Sequence, residues 1–182
     1  MKLTEKRLQS EYAFKGRILN LRVDTVELPN GQTSTREVVE YTGAVAVVAL
    51  DGQGNVILVR QFRYPVGREL VEIPAGKIDP DEDPLECAKR ELAEETGYRA
   101  REWTNLLRFF STPGFTSEYM HLFLAQGLET GDQAPDEDEF VEVTKVPLSE
   151  AVGMVERGEI CDAKSIVGLL LAQRVYAGLT TI

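Results

Sequence analysis

Seven consecutive apolar residues at 44–50 restrict the fold more than any other feature of this sequence. The run is too short for a typical helix, and it therefore predicts a strand that is buried on both faces. Turn-forming residues occupy 51–55, and an apolar partner strand follows at 56–62. A strand without a polar face has to lie inside a layered structure, which indicates an α/β sandwich.

Residues 1–40 have a different pattern, in which apolar and polar residues alternate. The stretches 18–24 and 35–40 predict half-buried strands, and the Asn30-Gly31 pair between them tolerates the positive φ angles of a tight hairpin. An antiparallel sheet is therefore expected at the amino terminus. Further strands are predicted at 69–73, 104–110, 119–124 and 140–146.

The charge balance is acidic, with 20 lysine and arginine residues against 30 aspartate and glutamate residues and a net charge of −10. A surface of this sign repels nucleic acid and anionic membranes, so neither is an expected partner. No apolar stretch has the length of a membrane span, and the two cysteines, Cys87 and Cys161, are expected to be reduced thiols. Together these features predict a cytoplasmic protein.

The segment 84–96 predicts a helix with marked ends. Asp83 is a good N-cap, Pro84 fits the first helical position, and Gly97 is a suitable stop. At about 100° per residue, the apolar residues of this segment fall on one face, which packs against the sheet. Two further helices are predicted at 148–157 and 162–177.

Charged residues occupy the other faces of the 84–96 helix. Glu91 and Glu95 share one flank of the apolar stripe, whereas Arg90 and Glu94 lie on the opposite side. Composition alone would favour a solvated face with weak ion pairs. The spacing also allows a chemical role, because Glu91 and Glu95 can aim carboxylate oxygens at one point, as Mg²⁺ requires. Arg90 can bridge Glu82 and Glu94 and so join the preceding loop to the helix.

The wider spacing favours the chemical role. Residues 76–98 follow the pattern G-x5-E-x7-R-E-U-x-E-E-x-G-U, where U is a bulky apolar residue, and Tyr98 fits its position less strictly than the rest. This pattern resembles the Nudix box, a loop-helix-loop that binds divalent metal against a pyrophosphate. We expect its first glycine to let the backbone turn out of the preceding strand. The matching residues are Gly76, Glu82, Arg90, Glu91, Leu92, Glu94, Glu95 and Gly97.

The resemblance to the Nudix family implies a fold and a domain organisation. The fold would be an α/β (α+β) protein, an α/β/α sandwich with a mixed sheet plus an amino-terminal antiparallel sheet. The chain would divide into an antiparallel arm at 1–40 and a catalytic domain at 41–182.

The same resemblance implies a metal site. The cofactor would be Mg²⁺, with Mn²⁺ as the alternative ion. Glu91 and Glu95 would be metal ligands, Glu94 an additional ligand and the Ala75 carbonyl another, and Glu95 also counts among the catalytic residues. The residues with implied structural roles are Gly76, Glu82, Arg90 and Gly97.

The segments that flank the box are similar to those of the ADP-ribose pyrophosphatase subfamily. They lie at 61–65, 72–76 and 111–118, and the resemblance extends over 35–146. It implies a hydrolase that cleaves the diphosphate of ADP-ribose, a small molecule, into AMP and ribose 5-phosphate. It also implies a homodimer that forms through the amino-terminal arm.

Two arginines and a general base complete the predicted site. We place Arg36 and Arg63 on the substrate phosphates or the terminal ribose, because the planar guanidinium donates to phosphate oxygens in pairs. In the subfamily, a glutamate on a loop after the box deprotonates the attacking water. Glu139 is the first choice for that base here and Glu137 the second.

Two other functions share much of this pattern. A GDP-mannose hydrolase or another sugar-nucleotide pyrophosphatase would have a similar box and similar flanks. A non-catalytic Nudix ligand sensor belongs to a different class, and such proteins usually have a degraded box or an attached DNA-binding domain. The intact box and the acidic charge favour an enzyme over a sensor.

Overall fold

A computed structural model describes residues 2–134 and 139–179. Within these ranges the chain forms ten strands, three α-helices and a short 3-10 helix at Tyr64–Val66. The strands are β1 (Lys6–Lys15), β2 (Asn20–Glu27), β3 (Thr33–Glu40), β4 (Ala44–Leu50), β5 (Asn55–Arg63), β6 (Arg68–Glu72), β7 (Ala75–Lys77), β8 (Tyr98–Phe110), β9 (Tyr119–Thr130) and β10 (Glu142–Pro147). The helices are α1 (Pro84–Thr96), α2 (Leu148–Glu156) and α3 (Ala163–Tyr176).

The amino-terminal sheet has the strand order β1-β2-β3, and both of its strand pairs are antiparallel. The hairpin between β2 and β3 turns at Gly31, whose φ of 83° lies in the left-handed region that glycine tolerates. The sequence predicts β2 and β3 but not β1. All ten residues of β1 are exposed, so no alternation of buried and exposed positions marks this strand.

The chain forms two compact units. The first consists of Met1–Gly43 and Phe110–Tyr119, and the second of Ala44–Phe109 and Met120–Ile182. Within the first unit, the backbone N–H of Val39 donates to the carbonyl of Phe115 at 2.8 Å. The first unit therefore includes a segment that lies far along the chain from the arm at 1–40.

The larger sheet is mixed. Its main path is β10-β5-β4-β9-β8, with β6 paired to β5 and β7 paired to β4. The pair β4 and β9 is parallel, whereas β5 runs antiparallel to β4, β6 and β10. This arrangement places β4 in the interior of the sheet, as its apolar sequence predicts.

Helices cover this sheet on both faces. Every residue of β4 is buried, and alternate residues belong to two separate cores. Ala46 and Val48 pack in one core with residues of α2 and with Leu169 of α3, whereas Val45 and Val47 pack in the other with residues of α1. The predicted α/β/α sandwich with a mixed sheet is confirmed.

The predicted bounds of helices and strands agree best with the observed ones where capping residues mark the ends. α1 has the predicted bounds, and Asp162 caps α3 by accepting from the backbone N–H of Ser165 at 3.1 Å. β8 and β9 are longer than predicted, because half of the added residues are exposed and they form no continuous apolar run. No helix in the described part of the chain is long and apolar enough to cross a membrane.

Candidate active site

Local signals fix the helix α1. The Asp83 carboxylate accepts from the backbone N–H groups of Leu85 at 2.9 Å and Glu86 at 3.3 Å. At the other end, Gly97 has a φ of 72°, and its N–H donates to the carbonyl of Ala93. The cap satisfies orphan donors and the glycine ends the helix without strain. These ends set which glutamates of the helix point toward the sheet.

Arg90 holds three carboxylates on this helix and the loop before it. Its Nε lies 2.9 Å from Glu82 Oε1, and its Nη1 lies 2.8 Å from Glu91 Oε1 and 2.9 Å from Glu94 Oε2. The predicted bridge from Glu82 to Glu94 is therefore present, and Glu91 joins it. The hydrogen bond from Arg90 lowers the pKa of Glu82 to about 2. Three carboxylates share one cation, which leaves this cluster with excess negative charge.

Gly76 provides space for the carboxylate of Glu91. A Cβ atom at position 76 would lie 1.9 Å from Glu91 Cδ and 2.0 Å from its Oε1, far inside van der Waals contact. The residue lies within β7, where it pairs with Val45, and its φ is outside the left-handed region. The expected turn is therefore not at this position, and glycine is required here by close approach.

Glu95 is almost fully buried, with 3 % of its surface exposed. Its Oε2 accepts from the backbone N–H of Ala75 at 3.0 Å. Burial raises the pKa of Glu95 to about 8, and the charges of Glu91 and Glu139 contribute to the increase. Burial likewise raises the pKa of Glu91 to about 7, again with a contribution from Glu139. The site therefore holds carboxylates that lack full compensation by protein cations.

The oxygen-only donor set suits a hard divalent cation. Within the described residues, no three His, Cys, Asp or Glu side chains are grouped closely enough to hold a metal ion. Mg²⁺ is commonly bound by one or two carboxylates plus substrate phosphates and water, without a closed protein cage. The half-buried Glu91 and the buried Glu95 fit that type of open site.

Arg63 belongs to a second network of charges. Its Nη2 lies 2.7 Å from Glu72 Oε2, and Glu72 has a side-chain exposure of only 2 %. Lys164 of α3 lies 3.3 Å from the same oxygen and 2.8 Å from Asp162. Burial alone would lower the pKa of Arg63, but its interactions with Glu72 raise it. The guanidinium is thus held in place while 38 % of the side chain stays exposed.

The sequence does not mark Glu72 or Lys164 as part of the site. Glu72 lies in the flank at 72–76, next to the box, but its partner Lys164 is 92 residues further along the chain. No local pattern connects two such positions. A buried glutamate beside two cations becomes visible only when the strand β6 and the helix α3 are brought together.

The other predicted residues have the following places. Arg36 lies on β3 in the first unit, where its Nε donates to Glu5 Oε2 at 3.0 Å. Ala75 begins β7 and pairs with Ala46. Glu139 lies just before β10, and its charge acts on Glu91 and Glu95. Glu137 lies outside the described residues.

The chain belongs to the Nudix family. Residues 40–167 match the family model of the NUDIX domain. Residues 5–39 match a second model, that of the nucleoside diphosphate sugar hydrolase N-terminal domain. The membership that the box predicts is confirmed, and both matches agree with a fold in which an amino-terminal sheet precedes the sandwich.

Named relatives cover nearly the whole chain. The chain is 46% identical over 173 residues to an ADP-ribose pyrophosphatase of Bacillus subtilis (strain 168), which covers 94% of each protein. It is 44% identical to a methanol dehydrogenase activator of Bacillus methanolicus, over 93% of this chain and 92% of that protein. It is 36% identical to a GDP-mannose pyrophosphatase of Pectobacterium atrosepticum, over 97% and 94% respectively. A solved structure of an ADP compounds hydrolase superposes with a TM-score of 0.88 at 25% identity, with full coverage of both chains.

Proposed function

We propose that this Nudix protein hydrolyses the diphosphate of ADP-ribose to AMP and ribose 5-phosphate. The observation that carries the proposal is a pair of carboxylates on α1, the half-buried Glu91 and the buried Glu95, with raised pKa values of about 7 and about 8. Glu91 is seated against a glycine that no larger residue could replace without movement. Such a site is suited to a divalent ion and an anionic substrate.

We assign the metal ligands to α1 and to the first residue of β7. Glu91 and Glu95 would hold Mg²⁺, or Mn²⁺ in its place, together with the Ala75 carbonyl. Glu94 is a weaker candidate, because Arg90 already binds its carboxylate at 2.9 Å. When bound, the metal neutralises diphosphate charge and makes a water molecule more acidic. The structural residues Gly76, Glu82 and Gly97 keep these ligands in place.

The proton chemistry is assigned to Glu139. Its carboxylate would accept a proton from the attacking water, and the water oxygen would bond to one phosphorus. The bridging P–O bond then breaks, and the other phosphate leaves with the electron pair. Glu139 stays the first choice, and its charge acts on both Glu91 and Glu95. Glu137 stays the second choice and lies outside the described residues.

The two arginines are assigned to the substrate. Arg63 is oriented by Glu72 and keeps part of its guanidinium open, so it can donate to phosphate oxygens. Arg36 is bound to Glu5, at 2.5 Å between its Nη2 and Glu5 Oε1. A substrate contact by Arg36 would therefore require that ion pair to open, which makes Arg63 the stronger candidate.

Two related substrates compete in this proposal. The relative named ADP-ribose pyrophosphatase is 46% identical over 94% of the chain, whereas that named GDP-mannose pyrophosphatase is 36% identical. This difference favours ADP-ribose and keeps GDP-mannose as the second candidate. The metal and the proton acceptor would have the same roles in both reactions.

We further propose a homodimer that forms through the amino-terminal sheet. The strand β1 is exposed along its whole length and carries the apolar side chains of Leu8, Tyr12 and Phe14. A strand of this kind at a sheet edge gains most from a partner surface. Subunit mass in dilute solution tests this point, and a stable monomer would contradict it. A cytoplasmic location stays a prediction from the sequence.

The test of function is hydrolysis with and without Mg²⁺ across ADP-ribose, GDP-mannose, ADP-glucose, diadenosine polyphosphates, NADH and deoxynucleoside triphosphates. We expect metal-dependent turnover that favours ADP-ribose and is lost in Glu95→Gln. Glu86→Gln on the exposed side of the same helix is the matched control and should keep activity. Preference for GDP-mannose would change the substrate. Ligand binding without any hydrolysis would contradict the assignment as an enzyme and favour a non-catalytic ligand sensor.

A further inference from the structure

We propose that Gln133 is a positioning residue for the reaction, because its side-chain amide joins the segment 131–134 to the end of α1 and to the backbone between Glu139 and β10. The inference rests on the proposed role of Glu139 as the proton acceptor. It assigns to Gln133 a contribution to turnover that requires no contact with the substrate.

The end of α1 is the docking point for this segment. The last carbonyls of a helix have no partner within the helix and must be satisfied from outside. Here the Glu95 carbonyl accepts from Gln133 Nε2 at 2.6 Å, and the Glu94 carbonyl accepts from the backbone N–H of Ala134 at 3.0 Å. The backbone carbonyls of two proposed metal ligands, Glu94 and Glu95, are therefore bound by donors from the segment 131–134.

Gly97 allows the segment to come this close. The Gly97 carbonyl accepts from the backbone N–H of Gly131 at 2.7 Å. A Cβ atom at position 97 would lie 2.8 Å from the Gly131 carbonyl oxygen and 3.0 Å from the backbone nitrogen of Gln133. The glycine of the box thus ends the helix and also leaves room for the segment.

The amide nitrogen of Gln133 also contacts the backbone that follows Glu139. Gln133 Nε2 lies 3.3 Å from the carbonyl oxygen of Val141, two residues after Glu139. A primary amide is suited to this position, since one nitrogen carries two donors and can serve two carbonyls at once. Glutamate has the same length but no donor, so it would face both carbonyls with a repulsive oxygen.

Glu139 is the residue whose placement depends on this clamp. In the sequence it lies between the two anchor points, Gln133 and Val141, and its charge acts on both Glu91 and Glu95. A general base works only within hydrogen-bond reach of the water that it deprotonates. Displacement by about 1 Å in an active site can cost about a hundredfold in rate. Release of the clamp should therefore lower turnover more than it lowers binding.

The experiment compares full-length wild type with Gln133→Ala, Gln133→Glu, Glu139→Gln and the double variant Gln133→Ala with Glu139→Gln. Gln53→Ala, in the turn between β4 and β5, is the control for loss of an exposed glutamine. Steady-state kinetics give kcat and KM, Mn²⁺ titration followed by electron paramagnetic resonance gives metal affinity, and thermal melting gives stability. Loss of turnover in Glu95→Gln shows that the measured activity comes from this site.

We expect both Gln133 variants to lose about tenfold to a hundredfold in kcat, with KM and Mn²⁺ affinity within about twofold of wild type. The double variant should be no slower than Glu139→Gln, because a clamp has no further effect once its base is absent. Additive losses, an unchanged kcat in Gln133→Ala, or full activity in Glu139→Gln would each overturn the inference alone. An inactive wild type would overturn the proposed function and this inference with it.

Discussion

Two networks of charged side chains in the second unit differ in their balance of positive and negative charge. In the first, the Arg90 guanidinium lies within 2.9 Å of carboxylate oxygens from three residues, Glu82, Glu91 and Glu94. In the second, the buried Glu72 carboxylate binds two cations, Arg63 at 2.7 Å and Lys164 at 3.3 Å. Lys164 also binds Asp162, so in that network cations and carboxylates are equal in number.

The difference separates an incomplete network from a complete one. The carboxylates around Arg90 exceed the available positive charge, and the buried Glu95 beside them adds to the excess when it loses its proton. Such a cluster is stabilised by an added divalent cation. The network around Glu72 is balanced by itself, and it holds Arg63 in one orientation before any ligand binds. In the proposed function, the first network would bind the metal, and the second would present a preorganised Arg63 to phosphate.

The strongest test of the incomplete network is Gly76→Ala. The new methyl group would lie 1.9 Å from the Glu91 carboxyl carbon, so either the carboxylate or β7 must move. We expect kcat/KM and Mn²⁺ affinity to fall by roughly a hundredfold. Enzyme assays and metal titration measure this change.

Gly52→Ala is the matched control for that substitution. A Cβ atom at position 52 meets no other atom within 4 Å, and the residue has no left-handed φ. Its activity and metal affinity should equal those of wild type. Equal activity and metal affinity in the two alanine variants would show that the close approach of Glu91 to Gly76 is not needed for metal binding.

Removal of Lys164 tests the complete network and should have an intermediate effect. In Lys164→Met, Arg63 is the remaining cation for both Glu72 and Asp162, and it should be drawn away from its exposed position. The loss of a charge-assisted contact to phosphate corresponds to about 1.5 kcal/mol, or roughly tenfold in KM. We expect kcat to change less than KM.

Lys89→Met serves as the control for loss of a lysine. Lys89 makes an exposed ion pair with Glu86 on α1 at 2.7 Å, and such pairs contribute little. Its kinetic constants should stay near those of wild type. A Lys164→Met variant with an unchanged KM would separate Arg63 from phosphate binding and leave the second network with a structural role alone.

The smallest effect concerns pH and stability without metal. Glu91 and Glu95 have pKa values raised above those of an unfolded chain, to about 7 and about 8. The folded protein therefore binds more protons, and its stability falls as pH rises through those values. We expect the melting temperature of metal-free protein to fall measurably between pH 6 and pH 8.5.

Two comparisons isolate the carboxylates in that experiment. Added Mg²⁺ should raise the melting temperature more at pH 8.5 than at pH 6, because the ion binds the deprotonated form. Glu95→Gln should show a flatter dependence on pH than wild type. A melting temperature that rises over this interval in metal-free wild type would contradict the raised pKa values.

The sequence alone determined the features that depend on residues close together in the chain. Asp83, Pro84 and Gly97 define both ends of α1, since capping acts within one helical turn. The spacing within α1 also predicts the contact of Arg90 with Glu94, which are neighbours on any helix. The apolar run at 44–50 marks β4 for the same reason, because burial on two faces excludes polar residues.

Only the tertiary structure decided which distant groups meet. Glu72 and Lys164 come together across separate elements, and Gln133 reaches the end of α1 from a loop far along the chain. The sequence identifies Gly76 as part of the box. Glycine is needed there because the Glu91 carboxylate occupies the space of a side chain, and that contact depends on how α1 packs against β7. These contacts are set by packing between elements, and no local periodicity or capping rule encodes them.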